Sequence, residues 1–223
     1  MLVYSTATRS GWNPMQDMAP TVIVVDDDVS TREGLEALLK SAGWAVESFE
    51  TAAAFLARGF PSTPSCLILD IGLPDLNGLD LQEQIADGQS QMPIIFITGC
   101  GDIPTTVRAM KAGATEFLTK PLGEEALLPA VERALAQSQV ALEESAGLTA
   151  LQARYDTLSP RERQVLALVV SGLLNKQVGW ELGISEITVK AHRGRVMEKM
   201  QAKSFAALVK MSERLGLAAA SLH

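Results

Sequence analysis

Cys66-Leu67-Ile68-Leu69-Asp70-Ile71-Gly72-Leu73-Pro74-Asp75-Leu76-Asn77-Gly78 carries the pattern on which the fold turns. An apolar run with the brevity of a buried parallel strand ends in one carboxylate, and the chain then breaks into Gly, Pro, Asp and Asn. Asp70 is therefore expected at the carboxyl end of a central strand, the edge where open α/β sheets carry their chemistry. Similar short runs lie on both sides of it. Val22-Ile23-Val24-Val25 stops at Asp26-Asp27-Asp28, residues 44–49 form a second run, Ile94-Ile95-Phe96-Ile97 ends at Thr98-Gly99, and Glu116-Phe117-Leu118-Thr119 leads into Lys120-Pro121. Helical periodicity fills the gaps, beginning with a helix capped by Ser30, with Glu33 completing a capping box, and striped by Leu35, Leu38 and Leu39. Five strand-helix units predict a doubly wound parallel sheet covered by helices on both faces.

The 223 residues suffice for two small cores, and charge divides the chain in the same way. Residues 1–155 hold 9 Lys+Arg and 20 Asp+Glu, whereas residues 156–223 hold 10 and 6, so an acidic part is joined to a basic one. The basic end suggests contact with nucleic acid. Cys66 and Cys100 have no zinc-cluster spacing and read as lone buried thiols, in keeping with a reducing cytoplasm. No signal peptide and no apolar run of about 20 residues argues for secretion or a membrane span. Residues 1–20 read as a flexible leader. A helix over 124–139 continues into a helical linker at 139–155 with a break expected at Gly147, and Val131, Leu135 and Leu142 are spaced to continue a dimerising seam.

Asp26, Asp27, Asp70, Thr98 and Lys120 all fall at strand ends on one sheet edge. Converging carboxylates repel unless a cation sits among them, and Mg²⁺ is commonly held by one or two carboxylates while it shares phosphate oxygens. Thr98 can donate to a phosphoryl oxygen and Lys120 can neutralise one. The set suits phosphoryl transfer to Asp70, largely by positioning and charge stabilisation. A phosphatase or dehalogenase built on an aspartate nucleophile would want a second acid/base aspartate two residues on, where this chain has Gly72.

Val24-Val25-Asp26-Asp27-Asp28, Leu69-Asp70 with Pro74 and Gly78, Ile97-Thr98-Gly99 and Phe117-Leu118-Thr119-Lys120-Pro121 resemble the receiver domain of two-component response regulators. The resemblance implies that Asp70 is the phosphoacceptor. It also implies that Asp26 and Asp27 hold Mg²⁺ together with Asp70 and the carbonyl of Gly72, that Thr98, Lys120 and the aromatic Phe117 act in the switch, and that Asp28 caps a helix or adds negative potential. Gly101-Asp102-Ile103-Pro104 and Met110-Lys111-Ala112-Gly113-Ala114 resemble the FixJ-type subgroup, in which the fourth helix and fifth strand form the dimer face.

In the basic part, Leu158-Ser159-Pro160-Arg161-Glu162 is a helix start with cap, N1 proline and capping box. A helix over 175–182, the turn Gly183-Ile184-Ser185 and a helix to about 200 give a helix-turn-helix. On the last of these, Val189, Val196 and Met200 should be core, while Ile187, Lys190, Ala191 and Gly194 lie opposite, with Arg195 to one side. The matching motifs, through Asn175-Lys176, Leu182-Gly183-Ile184-Ser185, Thr188-Val189-Lys190, His192 and Lys199-Met200, resemble the LuxR/NarL-type DNA-binding domain. By that resemblance Lys190, Ala191 and Gly194 face bases, Lys176, Thr188 and Arg193 serve phosphates, and a helix over 204–215 makes the dimer contact on DNA.

The expectation is thus an α/β (βα)5 doubly wound receiver domain at 21–138, the linker at 139–155, and an all-α four-helix helix-turn-helix domain at 156–223. Such a protein would take a phosphoryl group from a sensor histidine kinase. It would then dimerise, bind double-stranded DNA and engage RNA polymerase, commonly as an activator. A regulator with the same folds but no dependence on phosphate is the alternative.

Overall fold

The computed structural model describes residues 19–87, 92–99 and 103–217. They divide into two compact units, with the division between Leu142 and Glu143. In the first, strands β1 (Thr21–Val25), β2 (Ala45–Phe49), β3 (Ser65–Asp70), β4 (Ile94–Thr98) and β5 (Glu116–Thr119) alternate with helices α1 (Val29–Ser41), α2 (Ala52–Arg58), α3 (Gly78–Asp87) and α4 (Ile103–Lys111), and α5 (Glu124–Asp156) begins there and ends in the second. The strands form one parallel sheet in the order β2-β1-β3-β4-β5. β3 is central and buried at every residue, and its side chains from Cys66 to Leu69 are apolar on both faces before Asp70.

Because successive strand residues point to opposite faces, the sheet carries two cores. Ile23, Val25, Leu67, Leu69 and Phe96 pack under α2, α3 and α4 through Phe55, Leu81, Ile85 and Ala109. Val24, Ile68, Ile95 and Ile97 pack under α1 and α5 through Leu35, Leu39, Leu127 and Val131. Cys66 belongs to the second core, where burial pushes its thiol up to about 12, so it behaves as a small apolar side chain. Cys100 lies outside the described residues.

Three local expectations are corrected. Asp28, rather than Ser30, caps α1: its carboxylate accepts from the backbone N–H of Ser30 at 2.7 Å and of Thr31 at 3.2 Å. A carboxylate at this position also meets the positive end of the helix dipole. Val131 and Leu135 are buried in the second core, so they do not form a dimerising seam. α5 also passes through Gly147 without a break, since one helical glycine costs only about 1 kcal/mol against alanine.

The second unit adds α6 (Pro160–Val170), α7 (Asn175–Leu182), α8 (Glu186–Lys199) and α9 (Phe205–Arg214). Gly183 ends α7 in the left-handed conformation at φ 65°, which turns the chain into α8. Gly179 allows the same corner to close, because a Cβ there would lie 2.7 Å from the Ile184 carbonyl oxygen. The capping box of α6 is also an anchor for α8. Glu162 is 3% exposed, accepts from the Ser159 N–H at 2.9 Å and pairs with Lys199 at 2.7 Å. Hydrogen bonding from Lys199, then from Ser159, holds Glu162 below its ordinary carboxylate value. That stabilisation is complete above the ordinary glutamate pKa and is lost as pH falls through the lowered one. Glu162→Gln should destabilise this unit at neutral pH by about 1 kcal/mol, a modest figure because Lys199 is partly solvated. It should also flatten the acid limb of its stability curve, checked by amide exchange along α6 between pH 3 and 7.

Candidate functional site

The carboxyl edge of the sheet gathers the acidic residues. Asp26 follows β1 and is fully buried, Asp70 ends β3 and is 8% exposed, and Asp27 stands exposed beside them. One oxygen from each of the three carboxylates falls within 4.8 Å of the others, close enough to hold one metal ion. Lys120, just after β5, reaches across: its Nζ lies 2.6 Å from Asp26 Oδ2 and 3.2 Å from Asp70 Oδ2. Thr98 is buried at the end of β4, and its carbonyl accepts from the Lys120 N–H at 2.8 Å, which ties the two strand ends together. The Lys120–Pro121 peptide is cis.

Burial pushes Asp26 above its ordinary carboxylate value, against the opposing pull of Lys120. For Lys120, burial works against the charge, but Asp26 and Asp70 outweigh it and hold the ammonium above its ordinary value. The pocket therefore stores a desolvated anion beside a firmly charged cation. Asp26 Oδ1 accepts from the Asp28 N–H at 2.9 Å, whereas Oδ2 has the ion pair with Lys120 but no well-directed hydrogen bond. A buried carboxylate oxygen left in that state, within a set of hard oxygen donors, fits a small divalent cation.

Two residues that shape this pocket were not foreseen. Arg32 on α1 donates through Nη1 to the carbonyls of Asp26 at 2.6 Å and Asp27 at 2.9 Å, fixing the acidic turn. Asp75 accepts from the Ala52 and Ala53 N–H groups at 3.3 and 3.0 Å, which pins the loop after Asp70 to the start of α2. Neither belongs to a recognisable local pattern. Gly72, whose N–H approaches Asp70 Oδ1 at 3.4 Å, places no side chain near the carboxylate. Phe117 on β5 is half-buried and packs against the core that contains Phe96.

In the second unit the two faces of α8 separate as the periodicity predicts. Val189, Val196 and Met200 are buried, and Ile187, Lys190, Ala191, Gly194 and Arg195 are exposed. Ser185 caps α8 through the Thr188 N–H at 3.2 Å and also bonds the Thr188 hydroxyl at 2.8 Å. Lys190 pairs with Glu186 at 3.0 Å, and Lys176 stands exposed on α7. Arg193 is placed differently from the others. It is half-buried, donates to Asn175 Oδ1 at 3.1 Å and stacks its guanidinium 4.7 Å from the Phe205 ring centroid, bracing α7 and α9.

Residues 22–132 match the family model of the response regulator receiver domain, and residues 156–212 that of the bacterial regulatory proteins of the luxR family. The chain belongs to the response regulators with a LuxR-type DNA-binding domain. Nodulation protein W of Bradyrhizobium diazoefficiens is 50% identical to this response regulator over 198 residues, 89% of this chain and 87% of its own. The response regulator protein TodT of Pseudomonas putida is 44% identical over 207 residues, 93% and 91% of the two chains. The solved structure of the response regulator StyR matches with a TM-score of 0.78 at 48% identity, covering 88% of this chain and 100% of that one. This response regulator is thus a two-component transcriptional regulator whose receiver implies a histidine kinase as phosphodonor and whose output is a DNA-binding domain, not a catalytic one. Among the described residues no helix is long and apolar enough to cross a membrane.

Proposed function

We propose that Asp70 accepts the phosphoryl group of a sensor histidine kinase in the cytoplasm, and that the resulting aspartyl phosphate favours a dimer that binds DNA and recruits RNA polymerase. The observation that carries this reading is the Asp26–Asp27–Asp70 cluster spanned by Lys120. A carboxylate oxygen of Asp70 attacks phosphorus, and the bond from phosphorus to the donor nitrogen breaks. Lys120 is already within reach of the attacking carboxylate and can move onto a phosphoryl oxygen. Asp26, Asp27, Asp70 and the Gly72 carbonyl would hold Mg²⁺, which supplies charge neutralisation for the incoming phosphoryl oxygens.

Phosphate on Asp70 competes for Lys120, draws on the Thr98 hydroxyl and lets Phe117 turn inward. The signal then reaches α4, where Ile103, Val107 and Met110 form an exposed apolar stripe at helical spacing that suits a dimer face. Phosphorylation shifts the equilibrium only by its differential interaction with the two states. On DNA, Lys190, Ala191 and Gly194 face bases from α8, Lys176, Thr188 and Arg193 serve the backbone, and Arg195 adds charge to one side. Arg193 spends one Nη1 N–H on Asn175 and stacks its face on Phe205, which leaves its other guanidinium N–H groups to reach a phosphate.

The test is incubation of the full chain with acetyl phosphate and Mg²⁺: one acid-labile phosphoryl group should appear by mass spectrometry, and none when Mg²⁺ is chelated. Failure to take up phosphate would favour the phosphate-independent regulator. A second check uses Asp26→Asn. The substitution removes one carboxylate of the cluster together with the desolvation penalty that burial places on it. Mg²⁺ should raise the melting temperature of the parent chain and leave that of the variant nearly unchanged.

A further inference from the structure

Ile187 is 79% exposed, although it is a β-branched residue in the first turn of α8, a position where it gains neither packing nor helix propensity. It shares a stripe with Lys190, Ala191 and Gly194: at 100° per residue these four fall within an arc of about 100°, and Val189 and Val196 lie on the opposite side. Lys190 and, one step round the helix, Arg195 make this face cationic, which suits a polyanion rather than an apolar protein partner. Ala191 and Gly194 present little bulk, so the helix can seat deep in a major groove with its N-terminal turn nearest the base edges. In that groove the one apolar feature is the C5-methyl group of thymine.

We infer that Ile187 is a specificity residue that reads a thymine methyl in each half-site, beside a base contact from Lys190. This rests on the DNA-binding reading of α8 given above. In the free protein Lys190 is held by Glu186, so its cationic head leaves that pair on entering the groove, whereas Ile187 needs no rearrangement to make its contact.

The experiment uses the full chain treated with acetyl phosphate and Mg²⁺. Duplexes enriched from a random pool are remade with deoxyuridine in place of each thymine in turn, and affinities are compared at fixed salt. One thymine per half-site should lose about 4-fold on removal of its methyl, the size expected for one buried carbon. Ile187→Ala should bind thymine and deoxyuridine equally at that position while keeping its response elsewhere, and Ile187→Val should retain most of the discrimination. Trp180→Ala, which alters an exposed side chain on α7, should leave the ratio unchanged. The inference is overturned if no thymine is sensitive, or if Ile187→Ala keeps the parent ratio at every position. Failure to enrich any duplex would overturn the DNA-binding reading itself, and with it this inference.

Discussion

Asp70→Asn protein should fold, keep its Lys120–Asp26 ion pair and take up no phosphoryl group. The substitution preserves the shape of the side chain but replaces an anionic oxygen nucleophile with an amide, whose lone pairs are delocalised and which leaves no stable product with phosphate. The Lys120–Asp26 pair, 2.6 Å in the parent, does not involve the substituted side chain, so the variant should keep it, and a thermal melt beside the parent separates lost chemistry from unfolding. The effect is all-or-none: one acid-labile phosphoryl group per parent chain, and none in the variant, read by intact mass. Uptake at the parent level by Asp70→Asn would move the acceptor to Asp26 or Asp27.

Gly78→Ala should carry the second large effect, because it strikes fold and site together. A Cβ at Gly78 would lie 2.7 Å from the Asp70 carbonyl oxygen, 3.0 Å from Ile71 Cα and 3.3 Å from Phe96 Cε1. The first two neighbours are backbone atoms and cannot rotate away, and Phe96 is fully buried. Overpacking of this kind costs about 1–3 kcal/mol. The backbone that must yield is that of Asp70 itself, so phosphoryl uptake should slow as well. Gly34→Ala is the internal comparison: Gly34 lies within α1, and beyond its chain neighbours and its own helix backbone no heavy atom lies within 4 Å of the added carbon, so the change should be neutral or stabilising by up to about 1 kcal/mol. Thermal melts of the two variants give the contrast directly.

The sheet and its edge residues were legible because each strand announces itself locally: β3 and β4 are apolar runs that stop at Asp70 and Thr98. The faces of α8 were equally legible, since burial of Val189 and Val196 follows from helical period alone. What stayed hidden are side-chain contacts that no local pattern marks. Arg32 meets the carbonyls of Asp26 and Asp27 only once α1 folds back over the acidic turn, and Asp75 reaches α2 across more than 20 residues. The stacking of Arg193 on Phe205 was likewise invisible, since whether an arginine finds an aromatic partner is decided by tertiary packing. Val131 and Leu135 show the same limit in reverse, because their spacing fits a helix seam and a sheet-facing helix equally well until the sheet is in place.

The central claim is that phosphate on Asp70 controls DNA binding, and the most direct measurement is an equilibrium titration of an enriched duplex by the full chain, with and without acetyl phosphate and Mg²⁺, at fixed salt. The parent chain should bind at least about 10-fold more tightly when phosphorylated, equivalent to about 1.4 kcal/mol of coupling, and Asp70→Asn should give one curve under both conditions. A parent chain shown by mass to be phosphorylated, yet binding the duplex with the same curve as the untreated protein, would contradict it.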